Sequence, residues 1–206
     1  MDFIDQYPER PVKPFTFLLA HGAGAPMDSE FMNVIAEGVC SEGFHVRRFE
    51  FPYMVERRVN GKKRPPNRAP VLLESFAEAV ALSGGGTQIV VAGKSMGGRM
   101  ASMLATELDV LGVVCLGYPF HPPGKLETTR LDHFSSIKSR TLILQGTRDP
   151  FGGKQHVAGY TLPETMCVRW LEDGDHDFKP RKKSGLTHAD NLKCAIEEIS
   201  AFLKIC

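Results

Sequence analysis

The sequence predicts an α/β protein built on a doubly wound, mostly parallel sheet of about six strands. Short apolar runs rich in β-branched residues alternate with longer segments of helical periodicity, as they do in successive βαβ units. These runs are almost continuously apolar, which indicates strands that are covered by helices on both faces. The 206 residues contain no internal repeat and no convincing linker, so we expect a single domain over 1–206.

The first part of the chain contains two predicted strands and two predicted helices. Residues 15–20 form an apolar run that leads into a glycine-rich loop, which predicts a buried strand. Apolar side chains at helical spacing predict a helix over 31–39, and residues 45–51 predict a second strand that a proline ends. The basic stretch 57–68, rich in Pro and Gly, predicts a long loop. The segment 70–82 predicts a helix that stops at three consecutive glycines.

The second part of the chain alternates more regularly. The β-branched run 89–92 predicts a buried strand, and a helix over 96–108 follows it with almost no loop. The same criteria predict strands over 110–116, 141–144 and 165–171, and helices over 153–159 and 190–203. Because the strands are parallel, the loops that follow them should meet at one edge of the sheet, where such folds bind ligands.

Composition excludes several classes of function. A net charge of +1 provides no general attraction to nucleic acid or to a membrane surface, and no apolar run approaches the roughly 18 residues of a membrane span. The first residues are acidic and lack the apolar stretch of a signal peptide. The five cysteines are scattered, without a C-x-x-C spacing for zinc or redox chemistry. We therefore expect a cytoplasmic protein with reduced cysteines and no metal.

The segment 93–97 fits two motifs with different chemistry. Gly93-Lys94-Ser95 resembles the end of a phosphate loop, but that loop needs another glycine at position 88, which is glutamine. The strand also runs directly up to Gly93 and leaves no room for a loop to curl around a phosphate. Gly93-x-Ser95-x-Gly97 between a strand and a helix instead predicts a nucleophile elbow, which lifts the Ser95 hydroxyl above the sheet edge.

A serine hydroxyl needs a base and an orienting acid to become a good nucleophile. On such an elbow these partners follow later in the chain, in the order acid and then histidine. Asp149 follows the strand over 141–144 and His176 follows the strand over 165–171, so we predict a triad of Ser95, His176 and Asp149. Other candidates lie on helices, before the serine, at the opposite edge or in the loop of His176 itself: His45, Asp109, His156, Asp173, Asp175 and His188.

Backbone N–H groups near the elbow predict an oxyanion hole. The N–H of Met96 opens the helix that follows Ser95, and it can point at an oxyanion that develops beside the serine. The loop after the first core strand should supply a second donor, for which Ala23 is the best placed.

Four residues are candidates for the substrate pocket because they follow strands at the same edge. His21 and Gly22 follow the first core strand, although we expect His21 mainly to hold the shape of its loop. Tyr118 and His121 follow the strand over 110–116. The prolines around them leave a second interpretation open, in which this segment only stiffens a long connection.

The chain resembles the α/β-hydrolase superfamily, and it is similar to small lidless members related to dienelactone hydrolase. The segments 21–25, 93–99 and 118–123 carry this likeness, which is nearest to a set of short predicted hydrolases that includes testis-expressed proteins and bacterial relatives. The resemblance implies a Ser–Asp–His triad and no cofactor, but it implies no substrate. Dienelactone hydrolase itself uses a cysteine nucleophile, so its activity does not carry over to a chain with Ser95. We also expect that the antiparallel first strands and the lid of larger relatives are absent.

These expectations together describe a serine hydrolase that cleaves a small ester, thioester or related acyl bond. A non-catalytic interaction module of the same fold is the alternative, because fold alone does not determine function. Two basic stretches, 57–68 and 179–183, follow strands at the edge where the site is expected. They favour either an anionic substrate or an acidic partner, or they are solvated loops that only keep the protein soluble.

Overall fold

The structure is a computed structural model that describes residues 1–206. Seven strands form one sheet: β1 (Phe3–Gln6), β2 (Thr16–Ala20), β3 (His45–Phe49), β4 (Ile89–Lys94), β5 (Gly112–Leu116), β6 (Thr141–Gly146) and β7 (Met166–Leu171). Six α-helices accompany them: α1 (Glu30–Ser41), α2 (Pro52–Asn60), α3 (Ala69–Leu82), α4 (Met96–Leu104), α5 (Lys154–Val157) and α6 (His188–Lys204). None of these helices has both the length and the apolar character needed to cross a membrane.

The sheet has the strand order β1-β3-β2-β4-β5-β6-β7, and every neighbouring pair except β1 and β3 is parallel. The order starts near the middle and proceeds outward in both directions, which is the doubly wound arrangement. The predicted fold class is therefore confirmed, and no large lid covers the carboxyl edge of the sheet.

The strand β1 was not predicted, and the expectation that the chain lacks an antiparallel first strand is wrong. β1 pairs with β3 from Phe3 opposite Phe49 to Gln6 opposite Val46. Asp5 fixes this pairing, because its carboxylate accepts hydrogen bonds of 2.7 Å from the side chains of both His45 and Arg47 on β3. The strand β1 therefore depends on contacts from Asp5 to residues 40 or more positions away, and local periodicity does not reveal such contacts.

Two apolar layers cover the sheet, one on each face. On β2, Phe17 and Leu19 point into the layer formed with α1 and α6, whereas Leu18 and Ala20 point into the layer formed with α3 and α4. Successive side chains of a strand point to opposite faces, so a strand that is buried on both sides must be apolar throughout. This explains the continuous apolar runs of the sequence.

The basic stretch 57–68 is only partly the loop that was expected. The helix α2 includes its first four residues, and residues 61–68 form neither helix nor strand. Pro52 occupies the first turn of α2, where a missing N–H has no cost, and Tyr53 and Met54 are buried against the core. Burial of this first turn outweighs the Pro- and Gly-rich composition that follows.

Candidate active site

Ser95 lies at the tip of a sharp turn between β4 and α4. Its backbone has φ 52° and ψ −112°, a region that non-glycine residues occupy at a cost of about 1–3 kcal/mol. Only glycine fits two residues before it and two residues after it. A Cβ on Gly93 would lie 2.2 Å from the carbonyl carbon of Gly97, and a Cβ on Gly97 would lie 2.5 Å from the carbonyl oxygen of His21. The Ser95 N–H donates to the carbonyl of Leu116 at 2.8 Å and ties the turn to β5.

The structure brings Ser95, His176 and Asp149 together at the carboxyl edge of the sheet. The Ser95 hydroxyl lies 2.8 Å from Nε2 of His176, and Nδ1 of His176 lies 2.8 Å from Oδ2 of Asp149. These residues follow β4, β7 and β6, so the parallel order of the strands causes their meeting. When Nδ1–H donates to the carboxylate, Nε2 is left to accept the hydrogen of the serine hydroxyl.

Hydrogen bonds from Gln145 and Phe151 hold the Asp149 carboxylate in place. Its side chain has no exposure to solvent, and a buried carboxylate needs hydrogen-bond donors. Gln145 Nε2 donates to Oδ2 at 2.9 Å, and the N–H of Phe151 donates to Oδ1 at 2.8 Å. The ring of Phe151 also packs on the imidazole of His176, with ring centroids 4.4 Å apart. Both partners of the Asp149–His176 hydrogen bond are therefore restrained.

The glycine-rich loop after β2 passes beside Ser95 and leaves the Ala23 N–H free. The buried Tyr53 hydroxyl donates to the carbonyl oxygens of Gly22 and Ala23 at 3.2 and 3.1 Å. The Ala23 N–H points away from Tyr53, because the C=O and N–H of a trans peptide are opposed. It has no acceptor within the protein. Met96 begins α4, so its N–H has no intrahelical acceptor either.

His21 is a brace for this loop and does not line the site. It is completely buried, its Nδ1–H donates to the carbonyl of Gly22 at 2.7 Å, and its Nε2 accepts from the N–H of Phe51 at 3.0 Å. Burial lowers the pKa of His21. With both ring nitrogens occupied, the imidazole serves as a neutral structural group.

Tyr118 and His121 also lie away from the site. The Tyr118 side chain is completely buried, and its hydroxyl donates to the carbonyl of Arg130 at 2.8 Å. His121 is buried as well and bonds through Nδ1 to the carbonyl of Pro122 at 2.9 Å. This corrects the expected pocket role of both residues and that of His21, whose expected role in holding the shape of its loop agrees with the structure. The segment after β5 folds inward onto the core, so of the four pocket candidates only Gly22 lines the cleft beside Ser95.

The cleft that contains the Ser95 hydroxyl has a volume of about 350 Å³. Its walls include the loop 22–25, the rings of Phe31 and Phe151, and the side chains of Lys94, His176 and Asp177. A larger cleft of about 640 Å³ lies between α2 and α3, but it offers no histidine beside its one serine. Chemistry therefore identifies the smaller cleft as the candidate site. No three His, Cys, Asp or Glu side chains come close enough together to hold a metal ion.

Neither basic stretch contributes a side chain to this cleft. Arg58 is paired with Glu50 and Asp28, both at 2.6 Å. Arg181 is paired with Asp173, and this guanidinium lowers the pKa of that carboxyl to about 2. Part of the basic charge is thus already neutralised within the protein, and the role of these stretches in binding stays a prediction.

The family model of the alpha/beta hydrolase domain matches residues 13–204 of the chain. The chain belongs to this family. The fold of this α/β-hydrolase is also shared by Est1E from Butyrivibrio proteoclasticus, which is 13% identical with a TM-score of 0.72 over 98% of this chain and 93% of that chain. A serine hydrolase without a lid from Xanthomonas campestris is 22% identical, with a TM-score of 0.68 over 96% and 86% of the two chains. Dienelactone hydrolase from Anabaena variabilis is 18% identical, with a TM-score of 0.71 over 95% and 88%.

Several residues of the α/β-hydrolase site were not singled out from the sequence. Gln145 supports Asp149, Tyr53 orients the loop of Ala23, and Lys94 lies in the cleft, although in the sequence it resembles only the end of a phosphate loop. The one available signal was a polar residue at the end of an otherwise apolar strand, as at Gln145 and Lys94.

Proposed function

We propose that this α/β-hydrolase is a serine hydrolase that cleaves a small ester, thioester or related acyl bond through an acyl-enzyme. The observation that carries the proposal is the continuous hydrogen-bonded path from Ser95 through His176 to Asp149, with 2.8 Å at each step. Membership of the hydrolase family supports hydrolysis as the class of reaction.

In the proposed reaction the Ser95 oxygen attacks the acyl carbonyl carbon while Nε2 of His176 takes its proton. Asp149 keeps the imidazole in the tautomer that has a free Nε2 and stabilises the imidazolium that forms. The same imidazolium then donates its proton to the leaving group, and an acyl-enzyme remains. Water, activated by His176, hydrolyses this intermediate in the second half of the cycle.

The negative charge that develops on the carbonyl oxygen would be bound by the N–H groups of Met96 and Ala23. Each such donor typically lowers the barrier by about 3 kcal/mol. The hydrogen bonds from Tyr53 support this role for Ala23, because they fix the orientation of the loop before the substrate arrives.

The cleft favours a small acyl group. Its volume of about 350 Å³ lies near the lower end of the roughly 300–1,000 Å³ that is usual for small-molecule sites. Its one ammonium, Lys94, is balanced by Asp177 at 3.1 Å. If the basic stretches nevertheless attract anionic substrates, the rate with an anionic ester will fall as salt rises while the rate with a neutral ester stays constant.

A fluorophosphonate probe tests the proposed nucleophile directly. We expect covalent labelling of the wild-type protein at Ser95, detected by peptide mass spectrometry, and none in Ser95→Ala. His176→Ala should slow labelling by at least about 100-fold, because it removes the base. Ser135→Ala changes an exposed serine outside the site and should label like wild type.

The same experiment distinguishes the alternative class. A folded wild-type protein that never reacts with the probe and hydrolyses no ester or thioester would favour a non-catalytic interaction module. A scaffold would have no use for the strained backbone of Ser95, which supports the enzyme as the first hypothesis.

A further inference from the structure

Lys94 is a buried charge that the proposed proton path does not use. It is the last residue of β4, directly before Ser95, and only 7% of it is exposed. A buried ammonium is costly unless it is paired and hydrogen-bonded. The partners of Lys94 therefore indicate why a lysine occupies this position.

Those partners lie on the loop that carries the histidine. Nζ of Lys94 donates to the carbonyl oxygen of His176 at 2.9 Å and lies 3.1 Å from Oδ1 of Asp177. It also lies 5.4 Å from the centroid of the Phe31 ring, within the range of a cation–π contact. No backbone N–H donates to the His176 carbonyl, so Lys94 supplies its one hydrogen bond within the protein.

The histidine loop needs such support because its own backbone is strained. Asp173 and Phe178, on either side of His176, have φ values of 51° and 68°, which non-glycine residues rarely adopt. Asp173 is held by Arg148 and Arg181, and the Phe178 side chain is buried. Lys94 fixes the backbone between these two anchors.

On the basis of the proposed function, we propose that Lys94 is a positioning residue that holds the His176 backbone so that the imidazole stays between Ser95 and Asp149. Gly117 leaves room for the same carbonyl, since a Cβ there would lie 2.9 Å from the His176 oxygen. The carbonyl thus accepts the ammonium while it passes close to the turn after β5.

This role makes the geometry of the site depend on the charge of Lys94. Burial has the largest effect on the pKa of Lys94 and lowers it, whereas Asp177, Asp149 and Asp175 oppose that shift. The other groups that face the ammonium are the backbone carbonyl of His176 and the ring of Phe31. Loss of the proton removes the attraction to Asp177, so wild-type activity should fall reversibly on the alkaline side.

The test compares Lys94→Met with Lys179→Met, which removes the same charge from an exposed position on the loop that carries His176. With p-nitrophenyl acetate, Lys94→Met should lower kcat by roughly 100-fold, the loss that follows a small misplacement of a catalytic group, and leave KM nearly unchanged. It should also lack the alkaline fall in activity. Lys179→Met should keep the kcat and the pH profile of wild type.

A second variant separates positioning from a loss of folding. Lys94→Ala leaves space for a small amine, so n-propylammonium should restore part of kcat in Lys94→Ala and have no effect on Ser95→Ala. If wild type is active and Lys94→Met matches Lys179→Met, or if the amine fails to rescue a folded Lys94→Ala, the role of Lys94 is overturned and the proposed hydrolase stands. If wild type itself neither labels nor turns over, the proposed function is lost first, and the role of Lys94 with it.

Discussion

Gln145, near the end of β6, hydrogen-bonds to the segment after β5 and to the segment that carries Asp149. Its Oε1 accepts from the N–H of Tyr118 at 2.7 Å, and its Nε2 donates to Tyr118 O at 3.1 Å, to Asp149 at 2.9 Å and to Gly152 O at 3.2 Å. Because the side chain is completely buried, water cannot replace these bonds. The orientation of Asp149 thus depends on an amide that is itself fixed by the backbone of Tyr118.

Replacing that amide by a carboxylate isolates its contribution. Gln145→Glu keeps the shape and the acceptor for Tyr118, but it places a second carboxylate against Asp149 where a donor had been. We expect kcat/KM to fall at least about 10-fold and the free energy of unfolding to fall by about 1–3 kcal/mol, as for a lost buried hydrogen bond. Ester hydrolysis and urea unfolding measure the two effects, with the exposed Gln155→Glu as control. Wild-type kinetics in Gln145→Glu would contradict this role.

The triad could be predicted from the sequence, whereas the roles of the supporting residues Gln145 and Lys94 could not. Ser95, Asp149 and His176 follow strands of a parallel sheet, so the parallel direction of the strands alone predicted that they would share an edge. Gln145 and Lys94 act through distances of about 3 Å to atoms on neighbouring loops. No local pattern encodes those distances. A polar residue at the end of an apolar strand marks both positions in the sequence, but the atoms that they contact are defined only once the loops are placed.

At the scale of elements, the tight packing of the elbow predicts which glycines are essential. A Cβ on Gly97 would lie 2.5 Å from the His21 carbonyl oxygen and 2.7 Å from that of Ala20, and backbone atoms cannot rotate aside. Gly97→Ala must therefore push α4 away from β2, at an expected cost of about 1–3 kcal/mol or more. It should also lower the rate of probe labelling, since Ser95 moves with the helix.

Gly24→Ala is the matched control, because a Cβ there has no atom within 4 Å and the backbone has no positive φ. Chemical denaturation should place this variant within about 0.5 kcal/mol of wild type. Equal stability of the two alanine variants would contradict the close approach of α4 to β2 at Gly97.

Elements with their own apolar core face were predictable, and elements defined by distant partners were not. The strands β4 and β5 and the helix α6 have patterns that agree with their burial. β1 is four half-buried residues that are held by Asp5 through the side chains of His45 and Arg47. α2 forms because Tyr53 and Met54 are buried, although its last turn is basic and a Pro- and Gly-rich stretch follows it.

At the scale of the whole molecule, the two apolar layers place two histidines in surroundings that disfavour their charged form. Burial lowers the pKa of His21, and burial together with Arg99 lowers the pKa of His133 from 6.5 to about 4. His133 lies beside α4, where its Nε2 is 2.8 Å from the Ser102 hydroxyl. Folding therefore keeps both side chains neutral at pH values at which the unfolded chain protonates them.

This difference predicts a loss of stability in mild acid. Above pH 6.5 the folded and unfolded states bind no proton at these positions, so the stability is fully present. Between pH 6.5 and about 4 the unfolded chain takes up protons that folded His133 does not, so the free energy of unfolding falls as the pH falls. Urea unfolding of wild type at pH 7.5 and 4.5 should show this loss, and His133→Gln should reduce it because glutamine does not titrate. The exposed His156→Gln should keep the wild-type difference between the two pH values. A His133→Gln protein with the same pH dependence as wild type would show that His133 is protonated equally in both states.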